Sequence, residues 1–125
     1  MSLFKRLDSV FLPVTDVEAS SAWYETHLGM SLEMKDTKWK YYSLQLKGAE
    51  NDPIPWITLY EVKQVTPMEH MPFNLYTPDG MARYTDMKEK GLQVTEMIDT
   101  GSMLVFEVID PDGNRIGIVS WPEAE

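Results

Sequence analysis

The sequence predicts an α+β fold made of two tandem βαβββ units within a chain of 125 residues. Three observations carry that prediction. Apolar residues alternate at strand spacing near the start of each half, as Val10, Leu12 and Val14 and again as Phe73 and Leu75. A helix pattern follows each alternation and closes on a glycine, with 17 residues from Leu12 to Gly29 and 18 from Phe73 to Gly91. Three strand-like runs then complete each half, so the layout repeats with an offset of one residue.

In the first half, Val10, Leu12 and Val14 share one strand face, and Ser9, Phe11 and Pro13 the other. Thr15-Asp16-Val17-Glu18 reads as a capping box with Thr15 as the N-cap. The helix it starts has Ala19, Ala22, Trp23 and Leu28 near helical spacing, with Gly29 supplying a left-handed end. Strands are expected over Ser31–Lys35, Trp39–Lys47 and Trp56–Val62, the last two separated by Gly48–Pro55 with its Asp52-Pro53 turn signal. Gln64–Met71 is a connector. In the second half, Thr77-Pro78 reads as an N-cap followed by proline at the first helical position, and Met81, Tyr84 and Met87 form the stripe to be buried. Three strands follow, Leu92–Met97, Met103–Ile109 and Arg115–Ser120, the last two joined by the turn Asp110-Pro111-Asp112-Gly113-Asn114. The chain is thus expected to be one domain, 1–125, of two units at approximately 5–63 and 69–122. With a helix on one face of each sheet, the other faces are left to line a cleft.

Composition narrows the function. Eleven Lys and Arg against 20 Asp and Glu give a net charge of −9, which repels phosphate backbones, so nucleic acid is not an expected partner. No apolar run is long enough to span a bilayer, and Lys5, Arg6 and Asp8 fall where a signal peptide would be apolar, so no membrane partner and a cytoplasmic location are expected. The absence of cysteine excludes disulfides, thiolate metal sites and a cysteine nucleophile. No Gly-rich phosphate loop, nucleophile elbow or His-Glu-x-x-His pattern occurs.

Together with the tandem unit, the run from Val14-Thr15-Asp16 through Trp23-Tyr24 and Leu28-Gly29, and the Asp110–Asn114 turn, resemble the vicinal oxygen chelate superfamily of glyoxalases, bleomycin-resistance proteins and extradiol dioxygenases. That resemblance implies a fold more than a function, because the fold carries several reactions and also non-catalytic binders. It also implies four metal-ligand positions. They fall here on Ser9, Thr58, His70 (through His70-Met71-Pro72-Phe73) and Gly117, of which only His70 is a usual ligand. One imidazole, two hydroxyls and a glycine supply too little donor strength to replace the hydration shell of a hard divalent cation, so no metal cofactor is expected at the family position.

Strand parity selects the other candidates. Phe11, Tyr41, Trp56 and Tyr60 take the face away from the helix, where aromatic side chains form either a binding wall or a dimer interface. Gln45 and Asn74 share that parity and can orient a ligand by hydrogen bonds. Glu107 interrupts the apolar run Met103–Ile109, with Val105 and Ile109 beside it and Leu104, Phe106 and Val108 toward the helix. It is either a carboxylate with a raised pKa in an apolar cleft, able to act as a base, or a solvated one. His70 is either cleft-facing or a connector residue, while His27 suits the C-terminal end of the first helix. Met30, Met34, Met97 and Met103 flank the strands as adaptable packing. The expected function is metal-independent binding of a hydrophobic or cationic organic molecule by a homodimer. The alternatives are a lyase, isomerase or dioxygenase-type enzyme using His70 and a displaced carboxylate such as Glu107, with or without a divalent metal, or an interaction module with a closed cleft.

Overall fold

The computed structural model describes residues 3–48 and 52–122. Two compact units divide the chain, Met1–Val65 and Thr66–Glu125.

In the first unit, β1 (Ser9–Val14), α1 (Val17–Leu28), β2 (Met30–Asp36), β3 (Tyr41–Leu46) and β4 (Trp56–Glu61) follow in order. The sheet order is β1-β4-β3-β2, with β1 parallel to β4 and the other pairs antiparallel. The alternation that predicts β1 decides its burial: Leu12 and Val14 lie in the core with Tyr24 of α1, Tyr42 and Leu44 of β3 and Leu59 of β4. Two expectations for α1 need correcting. Its N-cap is Asp16, whose carboxylate accepts from the Ala19 N–H at 3.1 Å and places a negative charge at the positive helix end. Its buried face is Val17, Ser20, Ser21 and Tyr24, while Ala19 and Ala22 are exposed. Two small serines there let the helix lie close to the sheet, and the Ser21 hydroxyl donates to the Glu18 carbonyl. Gly29 ends the helix at φ +64, as its position predicts.

Between Leu32 and Met34 the β2–β3 register shifts by a residue, which moves Met34 from the face it would share with Leu32 to the face away from α1, where it is 56% exposed. On the helix side, Lys35 and Tyr42 converge on Glu18, with Lys35 Nζ at 2.7 Å and the Tyr42 hydroxyl donating at 2.6 Å. The hydrogen bonds from Lys35 and then Tyr42 hold the Glu18 carboxyl below its ordinary value. Those same bonds to Glu18 raise both Lys35 and Tyr42. The stabilisation is therefore complete between the two ranges. It is expected to fade as pH falls below about 4.3 through the lowered Glu18 value, and as pH rises above about 10 through the raised tyrosine and lysine values. Glu18→Gln is expected to flatten both limbs of a melting-temperature profile against pH; limbs identical to wild type would count against the cluster.

In the second unit, β5 (Asn74–Tyr76), α2 (Gly80–Glu89), β6 (Ile98–Asp99), β7 (Leu104–Ile109) and β8 (Arg115–Ser120) repeat the order. The sheet runs β5-β8-β7-β6, again with one parallel pair, β5 with β8. Three features differ from the sequence reading. The N-cap of α2 is Asp79, two residues beyond Thr77, and its side chain accepts from Ala82 N–H at 3.0 Å. Met81 is 56% exposed, so the stripe of α2 toward the sheet is Gly80, the half-buried Tyr84 and Met87. The expected strand over Leu92–Met97 reduces to one bridge, Val94 with Val108, and the strand proper falls at Ile98–Asp99. There the Thr95 hydroxyl accepts the Glu107 N–H at 2.8 Å, taking a bond that a ladder carbonyl would take.

Candidate binding faces

Register brings the first-unit candidates onto one face of the sheet. Phe11 sits opposite Thr58, Tyr41 opposite Tyr60, Ser43 opposite Thr58, and Ser9 opposite Trp56. The shared register carried one residue further sets Gln45 beside Trp56. Phe11 and Tyr41 have ring centroids 6.4 Å apart, and so do Tyr41 and Tyr60, the second pair edge-on at 82°. Phe11 is 56% exposed and Tyr41 47%, so this row of rings is open to an apolar or cationic body. A polar strip lies between the rings. Thr58 Oγ1 is 2.8 Å from Ser43 Oγ and 3.4 Å from Ser9 Oγ. Gln45 is 3% exposed, and its Oε1 has no hydrogen-bond partner among the described residues.

On the corresponding face of the second unit, Asn74 and Glu107 flank Gly117 from either side. A cavity of about 350 Å³ opens here, lined by Met71, Thr95, Ile98, Val105, Glu107 and Arg115 among others. Glu107 keeps the parity that the sequence predicts and sits beside apolar Met71, Ile98 and Val105, but it is ion-paired. Its Oε1 meets Arg115 Nη1 at 3.0 Å, and the Glu107 side chain is only 16% exposed. A carboxylate tied to a guanidinium is an anchor for polar groups rather than a free base. His70 lies in the exposed segment before β5, with Nδ1 2.8 Å from the Met71 carbonyl. Because a carbonyl only accepts, Nδ1 carries the proton and Nε2 is the nitrogen free to act. A second cavity, of about 330 Å³, lies at the start of α2, but its two carboxylates already serve backbone: Asp79 caps α2, and Asp99 accepts from Gly101 N–H.

The donor set does not fit a divalent metal. In the first unit, the hydroxyls of Ser9 and Thr58 are engaged with each other and with Ser43. In the second, a side chain at Gly117 would run into the Met71 sulfur and the Asn74 Cβ. No group of three His, Cys, Asp or Glu side chains among the described residues is placed to hold an ion. Uncharged hydroxyls and a thioether are weak ligands for hard cations.

Three participants escaped the sequence reading. Arg115 is the mate of Ile109 in the β7–β8 hairpin, one diagonal step from Glu107, so counting register across the Asp110–Asn114 turn would have found it. Ser43 sits between Tyr41 and Gln45 at the same period of two. Nothing local marks Met71, whose position over Gly117 depends on how the segment before β5 crosses β8.

Residues 6–118 match the family model of the Glyoxalase/Bleomycin resistance protein/Dioxygenase superfamily. Among solved structures, TnmS3, an antibiotic binding protein from Streptomyces sp. CB03234, is 22% identical, with a TM-score of 0.79 over 97% of this chain and 99% of that one. A putative glyoxalase family protein from Bacillus anthracis is 17% identical, with a TM-score of 0.78 over 97% and 98%. The bleomycin resistance determinant encoded on the transposon Tn5 is 18% identical, with a TM-score of 0.69 over 96% and 100%. At these identities the likeness is one of fold. Curated protein sequences yield no match. Among the described residues, no helix is long and apolar enough to cross a membrane.

Proposed function

The chain belongs to the Glyoxalase/Bleomycin resistance protein/Dioxygenase superfamily, and from that membership we propose that it binds a hydrophobic or cationic organic molecule without a divalent metal. The observation that carries this reading is the open row Phe11, Tyr41 and Tyr60 on the sheet face away from α1. Aromatic faces left exposed by their own unit accept flat apolar bodies and, through the ring quadrupole, cations. The net charge of −9 draws the same ligands and repels anions. Trp56 flanks the row and Gln45 lies on the same face as its polar member; in the second unit, taken by itself, Asn74, Glu107 and His70 are the polar candidates for ligand contact. Binding is favoured over a lyase, isomerase or dioxygenase reaction because Glu107 is held by Arg115 instead of poised as a base. The protein acts in the cytoplasm as a homodimer, expected to give twice the chain mass by light scattering and to fractionate with cytosolic markers.

The test is thermal shift with metal-free bleomycin, chosen as a large cationic aromatic probe, beside Ni²⁺, Zn²⁺, Mn²⁺ and Fe²⁺. Millimolar probe is expected to raise the melting temperature, since a ligand selective for the native state stabilises it. Tyr41→Ala is expected to weaken binding about tenfold, the loss of one aromatic contact of roughly 1 kcal/mol plus its buried area. The metals are expected to leave the melting temperature unchanged. Stoichiometric, stabilising metal would overturn metal independence, and a Tyr41→Ala protein that responds like wild type would remove the aromatic row from the site.

A further inference from the structure

The buried Gln45 carboxamide is the one side chain among the described residues with a buried polar atom left unpartnered: its Oε1 accepts nothing. Burial strips that oxygen of water, and folding returns no donor in exchange, so the free protein is destabilised by it. An apolar residue of similar size would fill the same space in β3 without that loss. Beside it runs the hydroxyl chain Ser43–Thr58–Ser9, linked by contacts of 2.8 and 3.4 Å. Three hydroxyls carry three protons, and two contacts use two of them. One O–H of the chain is therefore left without an acceptor within it. On a single sheet face the fold thus sets one unspent acceptor and one unspent donor, both uncharged, beside Trp56 and the Phe11–Tyr41–Tyr60 row.

We propose that Gln45 and the Ser43–Thr58–Ser9 hydroxyls form a polar subsite for a neutral head group that both donates and accepts a hydrogen bond, a carboxamide, lactam or hydroxyl, carried on a flat aromatic body. This rests on the binding reading above and specifies its ligand. Gln45, Ser43 and Thr58 are buried in the free protein, so the head group enters by displacing the side chains that cover them; it then gives an N–H or O–H to Gln45 Oε1 and accepts the spare hydroxyl proton, while its ring packs against the aromatic row. A charged head is selected against, because nothing on the described part of this strip carries a compensating charge. Discrimination follows from the same desolvation: a ligand lacking the donor leaves Gln45 Oε1 as unpaired as it is in the free protein.

The experiment pairs 2-naphthamide with methyl 2-naphthoate, which share a ring system and a carbonyl but differ in the N–H donor. Each is titrated into wild type, Gln45→Leu and Gln45→Met and followed by ¹H–¹⁵N correlation spectra. Wild type is expected to bind the amide about tenfold more tightly than the ester, the worth of one good hydrogen bond. Shifts are expected at the Gln45 side-chain amide. In both variants the preference is expected to fall to within about twofold, the two ligands then meeting the same apolar surface. Independently of any ligand, Gln45→Leu or Gln45→Met is expected to raise the melting temperature of the free protein by about 2–5 °C, because the orphaned oxygen is gone. A lower melting temperature in both variants would mean that the carboxamide is a structural anchor, and would overturn the proposal. Equal affinity for amide and ester in wild type would overturn it while leaving the aromatic row as a binding face. Binding of neither compound would overturn the aromatic row and this subsite together.

Discussion

Replacing Asp110 with alanine is expected to lower the stability of the fold by about 3 kcal/mol, the loss of several charge-assisted hydrogen bonds at a buried site. Asp110 is 4% exposed, and its Oδ1 accepts the N–H groups of Asp112 at 2.9 Å and Asn114 at 2.8 Å. Its Oδ2 accepts from the Asn114 side-chain amide at 3.0 Å. Those bonds fold the turn between β7 and β8 around Gly113, whose φ of +87 is a conformation that side chains resist. The register this turn sets puts Glu107 opposite Gly117 and brings Arg115 within reach of Glu107. Urea denaturation of Asp110→Ala checks the magnitude. Asp110→Asn is expected to retain part of the loss, since its amide oxygen can still take the two backbone bonds while its NH₂ faces another NH₂. A change below about 0.5 kcal/mol, the scatter of ordinary surface substitutions, would show that the turn does not depend on this carboxylate.

Gly117→Ala is expected to cost about 1–2 kcal/mol, the range for one extra methyl in a filled space. The backbone is not the obstacle, since the left-handed glycines are other residues. The obstacle is steric: the new Cβ would meet the Met71 sulfur and, at 3.0 Å, the Asn74 Cβ. Met71→Ala in the same chain is expected to relieve the clash, so the two substitutions should be non-additive by about 1 kcal/mol, as contacting residues are. Additive effects would place Met71 elsewhere. Gly117→Glu restores the carboxylate that the superfamily resemblance implies at this position. It is expected to destabilise more than alanine and to bring no stoichiometric Mn²⁺, because one carboxylate does not replace an ion's hydration shell. Tight Mn²⁺ binding by that variant would show that the remaining donors suffice.

Much of this is legible in the sequence. Strand alternation needs only neighbouring residues, so Leu12 and Val14 could be assigned to the core and Phe11 to the opposite face by counting in twos. The parity of Glu107, Gln45 and the aromatic set followed from the same rule. Local competition was harder to read. Thr15 and Asp16 are both good caps, and only the path of the chain into α1 selects Asp16. Leu92–Met97 has strand-like composition, yet a single hydroxyl, that of Thr95, takes the Glu107 N–H. Serines at 20 and 21 look like surface until the helix is seen to need small residues where it approaches the sheet.

By itself, then, the sequence determined the element order, the twofold βαβββ layout, the face on which the residues of β1, β3, β4, β7 and β8 fall and the poverty of metal donors at the superfamily positions. Those properties depend on residue type and on spacings of two and 3.6, which are written along the chain. The tertiary structure alone decided which polar groups find each other. It joined Ser9 to Thr58 across 49 residues, spent Glu107 on Arg115 and laid Met71 over Gly117. It also left the Gln45 oxygen without a donor. Pairings of that kind turn on distances of a few tenths of an ångström between segments remote in sequence, and no local periodicity records them.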